Sequence, residues 1–359
     1  MIPFRRFMEQ ALYHPDHGYY ASGRARVGKS GDFFTSVSVG RIYGQLLASV
    51  CHEVWERVGC PEDFSIVEQG ANDGTMAADI LGTAGENSGA FVSALHYRIV
   101  EPFPLNRSRQ QEKLSGFPRV TWHDSNEELP EFTGIHLSNE LLDAFPVDSL
   151  RWNGAAWEEE CIAMEGESFT WTSRPPNDPA LLAATKRLPT PPCVGWRFEI
   201  NRGLSPWLAG IASRMKHGIL LAVDYGQAGE DRFAPHRADG TLLAYRNHER
   251  FDDPLAEAGL RDITAQVDFT DLADKAIAAG LRPIAYSDQQ HFLMGVAEPW
   301  LRSLGESAPE HRKDLLALNT LLTPALMGSQ FKAIALGKDF PTEPPLACFK
   351  YQRPGIEAL

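Results

Sequence analysis

From Phe64 onward, short apolar runs alternate with helical segments, and that rhythm constrains the fold more than any other feature of the chain. Runs at 65–68, 96–101, 120–123, 135–138 and 219–224 have strand length and strand composition. A helix starting at Gly74 and Thr75 separates the first two, and one over 105–114 separates the next two. Strands joined through helices pair in parallel, because the crossover returns the chain to the same edge of the sheet. The pattern therefore predicts an α/β fold, a Rossmann-like, mostly parallel sheet covered by helices on both faces. Such sheets bind ligands at the carboxyl ends of their strands, where the order of the strands reverses.

What surrounds the sheet divides the remaining chain. Phe4, Phe7, Met8, Ala11 and Leu12 recur at helical spacing and stop at His14-Pro15. A loop over 16–38, rich in Gly, Ser and exposed-type aromatics, reads as a binding lid, and a second helix runs through Tyr43, Leu47, Val50 and Val54 to Gly59. Residues 1–63 thus form an N-terminal helical cap and lid loop, and 64–150 the first half of the sheet domain. Residues 151–204, with Trp152, Trp157, Trp171 and a proline cluster, form an inserted lobe. Ser205-Pro206 reads as the N-cap and first position of a helix that opens the second half, 205–338. There 263–268 reads as one strand, Thr270 as a helix cap and 331–336 as a last strand, before an irregular Pro-rich tail over 339–359.

Charge narrows the partners. With 34 Lys+Arg against 47 Asp+Glu, the net charge is −13, which argues against nucleic acid or an anionic membrane and favours a cationic ligand. The five cysteines fall in no CxxC spacing, so neither a disulfide framework nor a zinc site is indicated, and the scattered histidines give no metal-ligand pattern. No apolar run approaches the length of a membrane span, and the expectation is a soluble, cytoplasmic protein.

The candidate chemistry sits at the strand ends. Glu68-x-Gly70-x-Asn72-x-Gly74-Thr75 stands where the first strand turns into its helix. Gly70 and Gly74 let backbone approach a ligand, and Asn72 tolerates a left-handed conformation. Without G-x-G-x-x-G, a dinucleotide oxidoreductase lacks its pyrophosphate cradle. Glu101 ends the second strand, where a carboxylate takes both hydroxyls of a ribose, and Asp124-Ser125 ends the third, within reach of an adenine amino group. After the fourth come Asn139, Glu140 and Asp143, the last two at a spacing that shares one face of a helical turn and suits a guanidinium or ammonium. Gly23–Ser30 matches the P-loop pattern GxxxxGK[ST], but its preceding segment is polar rather than a buried strand, so a phosphate cradle is disfavoured there.

Dispersed stretches complete the picture: Phe7-Met8, Tyr13-His14-Pro15, Gly18-Tyr19-Tyr20, Gly28-Lys29-Ser30-Gly31-Asp32-Phe33-Phe34-Thr35, Glu68-x-Gly70, Asn139-Glu140-Leu141-Leu142-Asp143-Ala144, Asp224-Tyr225-Gly226, Gly240-Thr241-Leu242 and Asp262-Ile263-Thr264-Ala265. In these the chain resembles the MidA-like family of S-adenosylmethionine-dependent methyltransferases, related to a mitochondrial complex I assembly factor that methylates protein arginine. The resemblance implies a class I methyltransferase fold, S-adenosyl-L-methionine as cofactor, no metal, and a protein substrate presenting a basic residue. It points to Glu140, Asp143 and Asp32 as catalytic. Glu68, Gly70, Asn72, Gly74, Thr75, Glu101, Asp124, Ser125, Asn139, Gly31, Phe33 and Thr35 then hold the cofactor. The family's G-P-G-R-G loop is replaced here by Gly70-Ala71-Asn72-Asp73-Gly74, with Asp73 expected to meet the cofactor's amino group. Two alternatives stand beside this reading: a non-catalytic binding or assembly factor that retains the fold, and a P-loop nucleotide-binding protein.

Overall fold

The computed structural model describes residues 1–23, 35–87, 89–186, 188–191 and 193–359. Its central sheet contains β1 (Phe64–Gln69), β2 (Leu95–Val100), β3 (Val120–His123), β4 (Phe132–Asn139), β5 (Met215–Gln227), β6 (Arg282–Asp288) and β7 (Phe331–Lys338), in the order β3-β2-β1-β4-β5-β7-β6. The strands from β3 to β5 pair in parallel, and β7 runs antiparallel between β5 and β6. Every residue of β1 but Gln69 is buried, as expected of a strand covered on both faces.

Two cores flank the sheet. One is built by the helices Ile42–Arg57, Thr75–Asn87, Gln289–Leu304 and Arg312–Leu322, with Tyr43, Leu47, Ile80, Phe292 and Leu321 fully or almost fully buried against Ile66, Ile135 and Leu221. The other lies beneath the helices Leu204–Arg214 and Phe269–Ala278, where Leu208, Ile211 and Leu272 meet Val67, Leu220 and Ala222. Alternate residues of the same strands feed opposite cores, which is the period-two arithmetic of a sheet with two covered faces.

The inserted lobe is an antiparallel sheet whose first strand, Asp148–Trp152, begins inside the stretch assigned by sequence to the main domain. Its Trp157–Glu165 strand pairs with Ile2–Pro3, so the first residues of the chain are stitched to the lobe. The cap helix Phe4–Tyr13 leaves from that point and buries the five residues that carry its apolar stripe. They pack with Ala144, Val147, Ile162 and Ile263, which wedges the cap between the lobe and the carboxyl edge of the sheet.

Three local expectations are corrected. The helix before β5 starts at Leu204 rather than at Pro206, because the Asn201 side chain accepts the Gly203 amide at 3.0 Å and initiates the turn there; Ser205 makes no cap. The stretch 263–268 is two short strands, Asp262–Thr264 and Val267–Asp268. Between them the Ala265 amide turns away to the Asp143 carbonyl at 2.9 Å and that of Gln266 to the Thr241 hydroxyl at 3.0 Å. The following helix is capped by Asp268, whose carboxylate accepts the Asp271 amide, while the Thr270 hydroxyl accepts the Gly229 amide instead. The strand β6 and the helices Gln289–Leu304 and Arg312–Leu322 are not among the elements that the sequence pattern predicts.

Candidate active site

In this order β2 lies on one side of β1 and β4 on the other, so a crevice opens between the carboxyl ends of β1 and β4. It holds a cavity of about 650 Å³.

The floor is the turn after β1. Gly70, Asn72 and Gly74 have φ of +83°, +47° and +81°, so three residues of one tight turn occupy the left-handed region. Asn72 does so while its carbonyl accepts the Gln110 side chain at 2.8 Å. A Cβ placed on Gly70 would stand 3.2 Å from the Leu141 side chain, across the cavity floor. Gly74 contributes differently, since it lies behind the wall, against Gln110 and Leu114, and turns the chain into the helix that Thr75 begins. Asp73 accepts the Thr75 amide at 3.0 Å and pairs with Lys113, so its charge is already engaged at the cavity rim.

Two carboxyls face the cavity from β1 and β2. Glu68 is buried and accepts the Tyr97 hydroxyl at 2.6 Å; burial raises its pKa to about 7, with the Tyr97 bond acting against it. Glu101 accepts the Phe103 amide at 3.0 Å and the Gln110 side chain at 2.9 Å, and burial outweighs these bonds to raise it as well.

The wall from β4 departs from expectation. Glu140 ends the strand at φ +51°, and the 3-10 turn that follows spans Leu142–Ala144, so Glu140 and Asp143 do not share a helical face. The cause is Asp224 on β5. One of its oxygens accepts the amides of Leu141, Leu142 and Asp143 at 3.1, 2.8 and 3.4 Å, and the other accepts that of Tyr225 at 2.9 Å. Converging three successive amides on one oxygen forces the backbone at Glu140 into the left-handed region. Burial and the adjoining Asp143 carboxylate push Asp224 up, the amides of Leu142 and Tyr225 acting against them. Asp143 itself is buried below the loop rather than in the cavity wall, and burial raises it to about 6. Replacing Asp224 by Ala strands those amides, at about 1–3 kcal/mol for each buried donor left unpaired, so a loss of several degrees in Tm is expected by calorimetry.

Glu140 is anchored through one oxygen. Its Oε1 accepts the Ser36 amide at 2.8 Å and the Asn139 side chain at 3.1 Å, while Asn139 accepts the Tyr43 hydroxyl at 2.6 Å. Among the described residues Oε2 takes no hydrogen bond, and Glu140 lines the cavity. Burial raises its pKa to about 8, the Ser36 amide opposing and Asp143 reinforcing the shift. The Ser36 amide belongs to the short helix Ser36–Val39, capped by Thr35, so Glu140 ties that element, which also lines the cavity, to the sheet edge.

The cap supplies a wall that the sequence pattern does not assign. Tyr20 stacks on Tyr13 with ring centroids 5.7 Å apart, and Tyr13 lies parallel to Phe103 at 6.1 Å. Tyr13 donates to the Ala144 carbonyl and Tyr20 to Asp262, both at 2.8 Å. All three rings line the cavity, whereas Tyr19 is buried in the cap core. Phe103, two residues beyond Glu101 at a strand end, carried the signal that could have found it. Asp124 and Ser125 do not line the cavity; Asp124 is exposed and pairs with Arg107, which holds it at the outer end of β3.

Gly31, Asp32 and Phe33 lie outside the described residues, as does Gly23–Ser30 beyond its first glycine. The residues leading into Gly23 are turns, with no strand to feed a phosphate cradle. Millimolar ATP should accordingly leave the thermal midpoint unchanged in a dye-melt assay; a rise abolished by Lys29→Ala would restore the P-loop reading. Among the described residues no cluster of His, Cys, Asp and Glu is placed to hold a metal ion, and no helix is long and apolar enough to cross a membrane.

The comparisons with known proteins bear on this site. Residues 46–287 match the model of a family described as "putative S-adenosyl-L-methionine-dependent methyltransferase". The mitochondrial protein arginine methyltransferase NDUFAF7 homolog of Drosophila melanogaster is 28% identical over 369 residues, covering 93% of this chain and 81% of that one. The human protein arginine methyltransferase NDUFAF7, also mitochondrial by name, is 27% identical over 372 residues, covering 93% and 80%. A Burkholderia thailandensis protein crystallised with S-adenosyl-homocysteine superposes with a TM-score of 0.87 at 27% identity, covering 98% of this chain and 91% of that one.

Proposed function

The chain belongs to this family of S-adenosyl-L-methionine-dependent methyltransferases, and from that premise we propose that it methylates an arginine nitrogen of a partner protein. The observation that carries the reading is the cavity wall: its described lining includes Glu68, Asp73, Glu101 and Glu140 and no Lys, Arg or His. Such a wall suits cationic guests. When bound, S-adenosyl-L-methionine supplies a methyl group on a sulfonium, an electrophile that needs little activation.

The protein's share is orientation and proton handling. Gly70 keeps the cavity floor free of a side chain beneath the cofactor's chain, and Glu101 is the acceptor for ribose hydroxyls. Glu140 presents Oε2 to the acceptor nitrogen, localises one guanidinium N–H by a charge-assisted hydrogen bond, and takes the proton released as the nitrogen is methylated. The rings of Tyr13 and Tyr20 offer a flat face to a planar cation. Support for arginine as acceptor comes from the names of the relatives as protein arginine methyltransferases.

The test is methyl transfer from labelled cofactor to proteins of a cell extract, followed by mass spectrometry of the modified residue. Methylarginine is expected. Methyl groups on a carboxylate, a nucleic-acid base or a small molecule would refute the arginine assignment and leave the cofactor site standing.

A further inference from the structure

The cavity has an electrostatic asymmetry. Four carboxyls line it, and among the described residues the cations beside it are already committed, Lys113 to Asp73 at the rim and Arg107 to Asp124 and the Glu101 carbonyl. Glu140 stands in this imbalance at the carboxyl end of β4. It faces Asp143 on its own loop, Asp224 from β5 and the Tyr43 hydroxyl from the helix Ile42–Arg57, all acidic or neutral. Among the described residues the donors that reach it, the Ser36 amide and the Asn139 side chain, are uncharged, and both bind Oε1. A carboxyl so placed keeps its proton while the cavity holds no cation, in line with its shift to about 8.

Resting on the reading of this cavity as the cofactor site, we infer that Glu140 senses the charge on the cofactor's sulfur. S-adenosyl-L-methionine is positive there and S-adenosyl-homocysteine is neutral, although the two are otherwise alike. Entry of the sulfonium form therefore ionises Glu140, and the proton leaves to solvent. The thioether form offers no such charge, so Glu140 stays neutral beside it. Methyl transfer thereby removes one side of an attractive pair inside a poorly solvated site, and the product is held less firmly than the substrate. Glu140 acts here as a specificity-determining group that favours loading over product retention.

Linkage fixes the sign. A group that loses a proton on binding makes affinity rise with pH until the pH exceeds its value in the empty protein. Affinity for S-adenosyl-L-methionine relative to S-adenosyl-homocysteine should climb by roughly tenfold or more between pH 6 and 8, then level off. The cofactor's own amino group titrates near this range. It is common to wild type and Glu140→Gln, so the difference between the two proteins isolates the carboxyl.

The experiment is titration calorimetry of the full chain with each ligand, in buffers of different ionisation heat, which reads protons released per ligand bound. At pH 7 the wild type should release most of one proton more with S-adenosyl-L-methionine than with S-adenosyl-homocysteine, and Glu140→Gln should abolish that excess. Equal release with both ligands overturns the inference in the wild-type protein alone, whether or not the variant folds. An excess that persists in Glu140→Gln but disappears in Glu68→Gln would overturn it by moving the sensor to β1. If neither ligand binds, the cavity is not the cofactor site, and the inference falls together with that reading.

Discussion

Gly70→Val should weaken binding of S-adenosyl-homocysteine by at least a hundredfold, roughly 3 kcal/mol, in a protein that still folds. Two effects combine. The residue sits at φ +83°, where a β-branched side chain costs about 1–2 kcal/mol, and its Cβ would approach Leu141 to 3.2 Å, so its methyl groups must occupy the gap between β1 and β4. Gly59→Val separates them. Gly59 also has positive φ, at +93°, but nothing lies within 4 Å of the added Cβ, and it follows the helix Ile42–Arg57 away from the cavity lining. That variant should lose some thermal stability and keep its affinity. Calorimetry on both proteins decides the matter: a folded Gly70→Val chain that binds within threefold of wild type would remove the floor of the proposed site.

How much of this was open to sequence reasoning depends on the range of the interactions involved. The five parallel strands read from the sequence between 65 and 224 are all present, because buried parallel strands write themselves as local apolar runs. The left-handed Asn72 was legible for a similar reason, since few residues with a side chain adopt that conformation cheaply. Glu140 was not. Its spacing from Asp143 suggested a shared helical face, whereas its backbone is set by a carboxylate more than eighty positions away in the chain, on β5. The aromatic wall escaped notice for the same cause: Tyr13 and Tyr20 reach the site only because Ile2–Pro3 is pinned to the lobe and Asp262 holds Tyr20 in place. The β6 strand, Arg282–Asp288, has too few apolar residues to announce itself and is formed by pairing with β7. Asp73 shows how a partner changes a role: read alone it faces the cofactor's amino group, but Lys113 claims it first.

Glu140→Gln should lower methyl transfer by roughly 10²–10³, about 3–4 kcal/mol, while affinity for S-adenosyl-homocysteine stays within threefold of wild type. The substitution is close to a surgical one. A glutamine oxygen can take over the place of Oε1, accepting the Ser36 amide and the Asn139 side chain, so the Ser36–Val39 turn and the Tyr43–Asn139 contact have no reason to move. Those two donors also fix which way the amide faces, since turning it around would set N–H against N–H. Its NH2 group therefore replaces Oε2 on the cavity side, presenting a donor where the acceptor's own N–H groups need an acceptor. It has no basic lone pair to receive the proton set free when nitrogen is methylated. The predicted split is thus in turnover rather than in product affinity, read by single-turnover kinetics on the acceptor identified from extract and by calorimetry on the product. Full activity in the variant would dismiss Glu140 from the chemistry. Loss of product affinity to the same degree as activity would make it an anchor for the Ser36–Val39 turn instead, and would shift the search for the base to the cavity-lining carboxyl of Glu68.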